Sequence, residues 1–455
     1  MSSYELDEAK PGVVQEVKVT TSSGINLDQE NGDMNLTERG KLSEKDYASK
    51  VQDEATLAVF GKKQQLKRRF KSLSSVGLTC GLMLTWEVVL FTLQFGLQNG
   101  GPAGLIYGFL AAWSGAMLQA LVMAEMASMI PLAGGPFNWV AILSPPWCKK
   151  FLSYLAGWLT VICWQAFVAE TCYTVASLIQ GLLILNYPDY DPKLWQATLL
   201  FYAIALFGVF INTYLGRLLP RIEAMMLILY ILGFIGVLIP IVYLSPHTPA
   251  DKVFTTFQNL GGWDSMGLSF FVGWITSVSS FVGNDGADHI DQPGVESHTF
   301  QHLVLNLIQW HPRLFYDGSS FVWYPGYRRR YSIKHWVPFH GDVSDCIRVK
   351  KGANALIIVI TGVNVFSVSS VLATASRTLW AFSRENGLPF SHLLVKVDPK
   401  TRLPINAIIG TLIINVLLAL ISVGSYTAFG AFYSVVLAAY QSSFLLAASV
   451  MLAKD

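Results

Sequence analysis

Nine apolar stretches of about twenty residues follow one another between residues 73 and 452, and a helix of that length spans the roughly 30 Å hydrocarbon core of a bilayer. They cover 73–95, 104–126, 151–179, 194–215, 224–244, 266–282, 355–375, 407–423 and 428–452. Backbone amides and carbonyls find no water inside lipid, so each stretch must be a helix that closes its own hydrogen bonds. A soluble core cannot absorb this much apolar sequence. Hydrophobic residues make up 52% of the chain and charged residues 14%, where a soluble protein carries about a quarter charged. The fold class expected is therefore an all-α polytopic membrane protein with nine visible spans. Turn residues punctuate the spans, as in Asn99-Gly100-Gly101-Pro102 and Gly134-Gly135-Pro136.

Residues 1–70 read differently. The first sixty or so are rich in Ser, Asp, Glu, Lys and Gly with few aromatics, so they cannot bury enough surface to fold and are expected to form a disordered cytoplasmic tail. They lack the short apolar region of a secretory signal, which leaves the first span to direct insertion. Asn35-Leu36-Thr37 fits a glycosylation acceptor, but in a cytoplasmic tail it reads as chance. Five cysteines, Cys80, Cys148, Cys163, Cys172 and Cys346, show no paired spacing, so neither a disulfide framework nor a zinc motif is indicated. No cofactor and no metal are expected. No nucleic-acid role is suggested either, because the basic residues track loops instead of forming one basic face.

Lysine and arginine in short loops orient the chain, since they stay on the cytoplasmic side. The cluster Lys62, Lys63, Lys67, Arg68, Arg69 and Lys71 places the N-terminus inside, and the first six spans, within 71–290, agree with that placement. After them, 291–351 carries Arg328, Arg329, Arg330 and Lys334, while the next loop, 376–404, carries Arg377, Arg384, Lys396, Lys400 and Arg402. A single span separates these two basic regions, so both cannot be cytoplasmic and a crossing is missing. The segment 291–351 also holds five of the eight histidines and no window that could span a bilayer. It reads as an intron or frame error standing where a seventh span belongs. An intact transcript encoding it as written would overturn that reading. His298 and His302 have the i, i+4 spacing of metal ligands on a helix, yet they fall in this segment and are discounted.

Ionisable residues inside membrane helices are costly and are functional candidates by default. Glu87 interrupts the first span, Glu170 sits in the third, and Asp285 and Asp288 follow the apolar part of the sixth. Glu125, near the end of the second, reads as interfacial. The sixth span also contains Gly283-Asn284-Asp285-Gly286, which breaks a helix instead of extending it, and Gly77 and Gly81 precede the polar cluster of the first. Interrupted helices opening two groups of five spans point to a transporter with inverted repeats and a midplane binding site. Half-helix N-termini there can hold a carboxylate, and freed carbonyls and acids can hold a cation or proton. The expected substrate site comprises Thr85, Trp86 and Glu87 at the first break, Phe281, Gly283, Asn284, Asp285 and Gly286 at the sixth, and Trp164 and Gln165 of the third span. Trp86 is equally a cation-π platform or a packing residue. Asn364 and Ser367 read as packing. Glu87, Glu170 and Asp285 are the candidates for carrying a coupled proton.

Several of these elements carry a family resemblance. Gly77-Leu78 through Thr85-Trp86, Asn99-Gly100-Gly101-Pro102, Ala133-Gly134-Gly135-Pro136, Gly283-Asn284-Asp285-Gly286-Ala287-Asp288-His289, and the run from Ala375 to Pro389 resemble fungal amino acid/choline permeases of the amino acid-polyamine-organocation superfamily. The resemblance covers roughly 70–290 and 352–455. It implies a twelve-span protein with a five-plus-five inverted-repeat (LeuT-like) core, driven by protons and resident in the plasma membrane or an internal membrane such as the vacuole. Residues 352–455 then correspond to spans eight to ten, with eleven and twelve missing. The function expected is secondary active transport of an amino acid, amine or choline by alternating access, not enzymatic. Its partners are that small solute, a proton and the lipid bilayer. The alternatives are a transporter of a specialised metabolite or its precursor, a nutrient sensor on the same scaffold, or a non-functional truncated product.

Overall fold

The first and sixth apolar stretches do not run straight through the bundle. The computed structural model describes residues 57, 58, 60, 72–187, 189–244, 249–286, 289, 350–424 and 428–454. The basic cluster at 62–71, Asp288, and the whole of 291–349, with its histidines, lie outside the described residues. The first stretch forms two helices, α1 (Ser72–Met83) and α2 (Thr85–Gln98), joined at Leu84, whose left-handed backbone (φ 40°, ψ 44°) ends one helix and starts the next. A leucine in that region costs about 1–2 kcal/mol, so the surrounding packing must hold the break in place.

α3 (Gly101–Met129) and the short α4 (Pro136–Leu143) follow, then α5 (Lys149–Asn186), α6 (Leu194–Tyr214), α7 (Leu219–Leu244) and the short α8 (Ala250–Thr255). α9 (Met266–Ser279) stops before its apolar stretch does. Phe281 and Val282 donate i to i−3 bonds to Val278 and Ser279, a tightened last turn, and Gly283 then turns the chain with φ 92°. α10 (Lys350–Arg384), α11 (Ser391–Leu394), α12 (Ile405–Gly424) and α13 (Ala428–Leu452) complete the described helices. No strand occurs among the described residues; one isolated bridge pairs Asn99 with Asn259.

Of the nine expected spans, seven are helices long and apolar enough to cross a membrane, and the other two are the shorter apolar helices α9 and α12. A count of twelve is not reached among the described residues. Side chains pointing outward are those that lipid tolerates: Leu118, Phe151, Leu199, Leu206, Ile228, Leu232 and Ile239 are all exposed. α5 is the central strut. Its 38 residues are about 57 Å long at 1.5 Å per residue, which exceeds a bilayer core, and it packs on α13, α10, α4 and α6. α1 lies along α7, and α9 lies along α3. The α1–α7 contact is backbone to backbone, since a Cβ on Gly77 would collide with the carbonyl oxygen of Glu223.

Polar side chains inside the bundle are tied across helices. Gln165 of α5 donates to the Thr411 hydroxyl (3.2 Å) and the Ala375 carbonyl (3.4 Å), and accepts from Asn415 (3.4 Å). Asn212 of α6 donates to the Ser369 carbonyl of α10 at 2.9 Å. Such bonds fix helix register where hydrophobic contact alone would let helices slide.

Candidate substrate site

The two interruptions meet. Leu82, two residues before the break in α1, lies against Gly283 and Gly286 of the sixth-span turn: a Cβ on Gly286 would collide with its side chain, and one on Gly283 would rest in ordinary contact with it. Between the breaks a cavity is lined by Leu82, Met83 and Leu84, by Phe167, Glu170, Thr171 and Thr174 of α5, and by Ser279 and Val282. Asn364 and Ser367 of α10 and Tyr433 of α13 close it, with Val88 and Phe91 of α2 beside them. Among the described residues Glu170 is the single carboxylate in this lining, and three aromatic rings share the wall with it. Ser367 also donates to the Gly81 carbonyl at 2.6 Å, which ties α10 to the last turn of α1.

Of the sequence-predicted residues, Glu170 lines the cavity itself, and Phe281 and Gly283 flank Val282, which does. Phe281 stacks on Phe109 with centroids 5.9 Å apart. Thr85, Trp86 and Glu87 begin α2, but Trp86 turns toward α7, its ring 6.0 Å from Tyr230 and 6.2 Å from Phe234. Glu87 is fully buried and neither carboxylate oxygen has a hydrogen-bond partner; its place in the first turn sets it at the positive end of the α2 dipole. The Trp164 and His289 rings meet nearly perpendicular with centroids 5.7 Å apart, and the Trp164 indole nitrogen has no partner among the described residues. Asn284 is buried beside Asp285, whose Oδ2 lies 3.0 Å from His289 Nε2.

Sequence reasoning passed over Glu223. The apolar window of the fifth span starts at Ala224 and leaves this acid just outside it, yet α7 begins at Leu219 and carries Glu223 into the bundle. There it is fully buried, accepts from the Ser370 hydroxyl at 2.6 Å, and leaves its second oxygen without a partner. Ser370→Ala will strip the carboxyl of its one bond and cost about 1–3 kcal/mol. The check is the melting temperature of the detergent-solubilised protein, which should fall.

A bundle of membrane-crossing helices with two broken ones facing a small, largely apolar cavity that holds a few polar groups has the architecture of a multi-pass transporter. The family assignment follows from the sequence pattern of the amino acid permeases, which matches residues 70–291 and 344–454: the chain belongs to that family. It is 28% identical to the choline transporter of Saccharomyces cerevisiae over 397 residues, 86% of this chain and 70% of that protein. It is 25% identical to the GABA-specific permease of the same yeast over 459 residues (96% and 79%). Identity to amino-acid permease 2 of Neurospora crassa is also 25%, over 86% of this chain and 73% of that one. Among solved structures, a substrate-bound, outward-open Na+-coupled sialic acid symporter superposes with a TM-score of 0.53 at 15% identity, over 82% of this chain and 79% of that one. The fold is thus the all-α, five-plus-five inverted-repeat core expected from the two interrupted spans, and the protein is a secondary transporter of a small molecule.

Proposed function

We propose that the protein carries an amino acid, a related amine or choline by alternating access, with the substrate's ammonium group held in the cavity between the two breaks. The observation that carries this reading is the composition of the cavity wall. Glu170 supplies one negative charge, Phe91, Phe167 and Tyr433 supply aromatic faces, and Asn364 and Ser367 supply neutral polar atoms. A lone carboxylate among aromatic rings suits a cation, by charge pairing and by cation-π attraction. The relatives named for choline, GABA and amino acids share such an ammonium. Proton coupling, with Glu87, Glu170 or Asp285 as carrier, accords with the buried carboxylates of the bundle. Sodium is the competing ion, because the structural neighbour is Na+-coupled. Plasma-membrane residence with a cytoplasmic N-terminus belongs to the same reading.

Expression in cells lacking their own carriers, with labelled amino acids, choline and polyamines, tests it. Saturable uptake of at least one compound is expected, abolished by a protonophore and unchanged when sodium is replaced. Uptake that survives the protonophore and needs sodium would reverse the ion assignment. Binding without uptake, in protein that reaches the membrane, would replace the transporter with a sensor.

A further inference from the structure

His289 stands between two acceptors. Its Nδ1 lies 3.1 Å from the Ala133 carbonyl, in the loop between α3 and α4, and its Nε2 lies 3.0 Å from Asp285 Oδ2. A carbonyl oxygen only accepts, so Nδ1 must carry a hydrogen. The Asp285 contact then needs a second hydrogen, held on the imidazolium or on the carboxyl. Either way the pair binds one proton more than a carboxylate beside a neutral imidazole, and its net charge is zero. When that proton leaves, the pair becomes an anion and one hydrogen must serve two bonds. If it stays on Nδ1, a carboxylate oxygen faces the Nε2 lone pair. If it moves to Nε2, the Ala133 carbonyl faces the Nδ1 lone pair. One bond is lost in each case.

We propose that Asp285 and His289 form a proton site whose occupancy latches the turn after α9 to the loop between α3 and α4. The inference rests on the proton-driven reading above and gives it a named carrier pair and a moving part. The loop is built for close approach: Gly135 has φ 55°, and a Cβ there would come within 2.9 Å of the imidazole Cε1. The Gly135 amide bonds to the Leu132 carbonyl at 3.0 Å, so the loop's own hydrogen bonds report its state. Asp285 Oδ1 is buried with no hydrogen-bond partner, so once the His289 proton is lost the carboxylate has no second donor in hand. Among the described residues, α5, α1 and the loop before α4 supply neighbours of the pair. α5 brings the Trp164 ring, nearly perpendicular to the imidazole, and the Cys163 thiol, which lies within electrostatic reach of Asp285 and Glu170. α1 brings Leu82, and the loop 130–135 and α9 contain no titratable side chain.

Hydrogen–deuterium exchange of the full chain in lipid nanodiscs tests the latch without any substrate. Protection of peptides covering 130–140, corrected for the intrinsic pH dependence of exchange, should fall roughly tenfold from pH 5.5 to pH 8.5, as one charge-assisted bond is lost. Asp285→Asn should stay protected at both pH values, because its amide donates to Nε2 while Nδ1 keeps Ala133. His289→Ala should be unprotected at both. Peptides from α6, far from the pair in sequence, report whether each variant is folded. If Asp285→Asn fails that check, the wild-type response read beside His289→Ala decides. A wild-type loop insensitive to pH, or the same pH response in a folded Asp285→Asn, overturns the proposal. Protonophore-resistant uptake by a protein whose loop still responds to pH would overturn proton-driven transport and leave the latch standing.

Discussion

Glu170→Gln will lower the uptake kcat/KM for a substrate with a primary ammonium group by about 10- to 100-fold, the equivalent of the roughly 1.5–3 kcal/mol of a hydrogen bond to a charged group. Glutamine keeps the volume and shape of the side chain, so the wall formed with Thr171, Thr174 and Asn364 stays packed. What disappears is the charge opposite the ammonium. The substrate's chemistry modulates the loss. A primary ammonium gives up both a charge pair and a hydrogen bond, whereas a quaternary ammonium such as choline never made the bond. A smaller loss for choline than for an amino acid in the same variant would support direct contact with Glu170. Wild-type kinetics for both, at equal surface expression, would remove Glu170 from the site.

Gly77→Leu will destabilise the bundle by about 3 kcal/mol or more, the upper end for overpacking, because the added side chain meets main chain that cannot rotate away. The contact is with the Glu223 carbonyl, in the first turns of α7. Gly81, one helical turn later, makes the contrast. A Cβ there would lie 3.5 Å from Glu223 Oε2 and 3.6 Å from Ser370 Oγ, which is ordinary contact. Alanine also costs less backbone entropy than glycine in a helix, so Gly81→Ala should be neutral or stabilising by up to about 1 kcal/mol. Melting curves in detergent compare the two. Equal effects would mean that α1 and α7 are not held backbone to backbone at Gly77.

Much of this architecture is visible in one dimension. Hydrophobicity over twenty residues is a local property, so the spans show as runs. Gly283-Asn284-Asp285-Gly286 shows as a break because two glycines around two polar side chains cannot sustain a helix in lipid. The break in the first span is less obvious. Sequence alone points to Thr85–Glu87, where the polar side chains are, and the chain turns one residue earlier, at the apolar Leu84. No propensity marks a leucine for a left-handed conformation; helices on either side impose it.

The partners of the polar residues are the part that hydropathy cannot reach. Trp86 and Glu170 both lie within spans, and nothing local says that one faces α7 while the other faces the cavity. Asn364 and Ser367 read as packing residues, yet both line the cavity. Glu223 sits one residue outside an apolar window, and His289 had a place in a motif without a role.

Composition and hydropathy by themselves determined that this chain lives in a bilayer as a set of helices, and its glycine motifs marked where two of them fail. Only the tertiary structure decided which residues meet at those failures. Ser367 reaches the Gly81 carbonyl across 286 positions, and Ser370 reaches Glu223 across 147. The physical reason is that lipid selects for apolar surface along each helix but exerts no preference on which helix a buried hydroxyl or carboxyl will face. That choice is made by close packing at glycines and by the need of each buried polar atom for a partner.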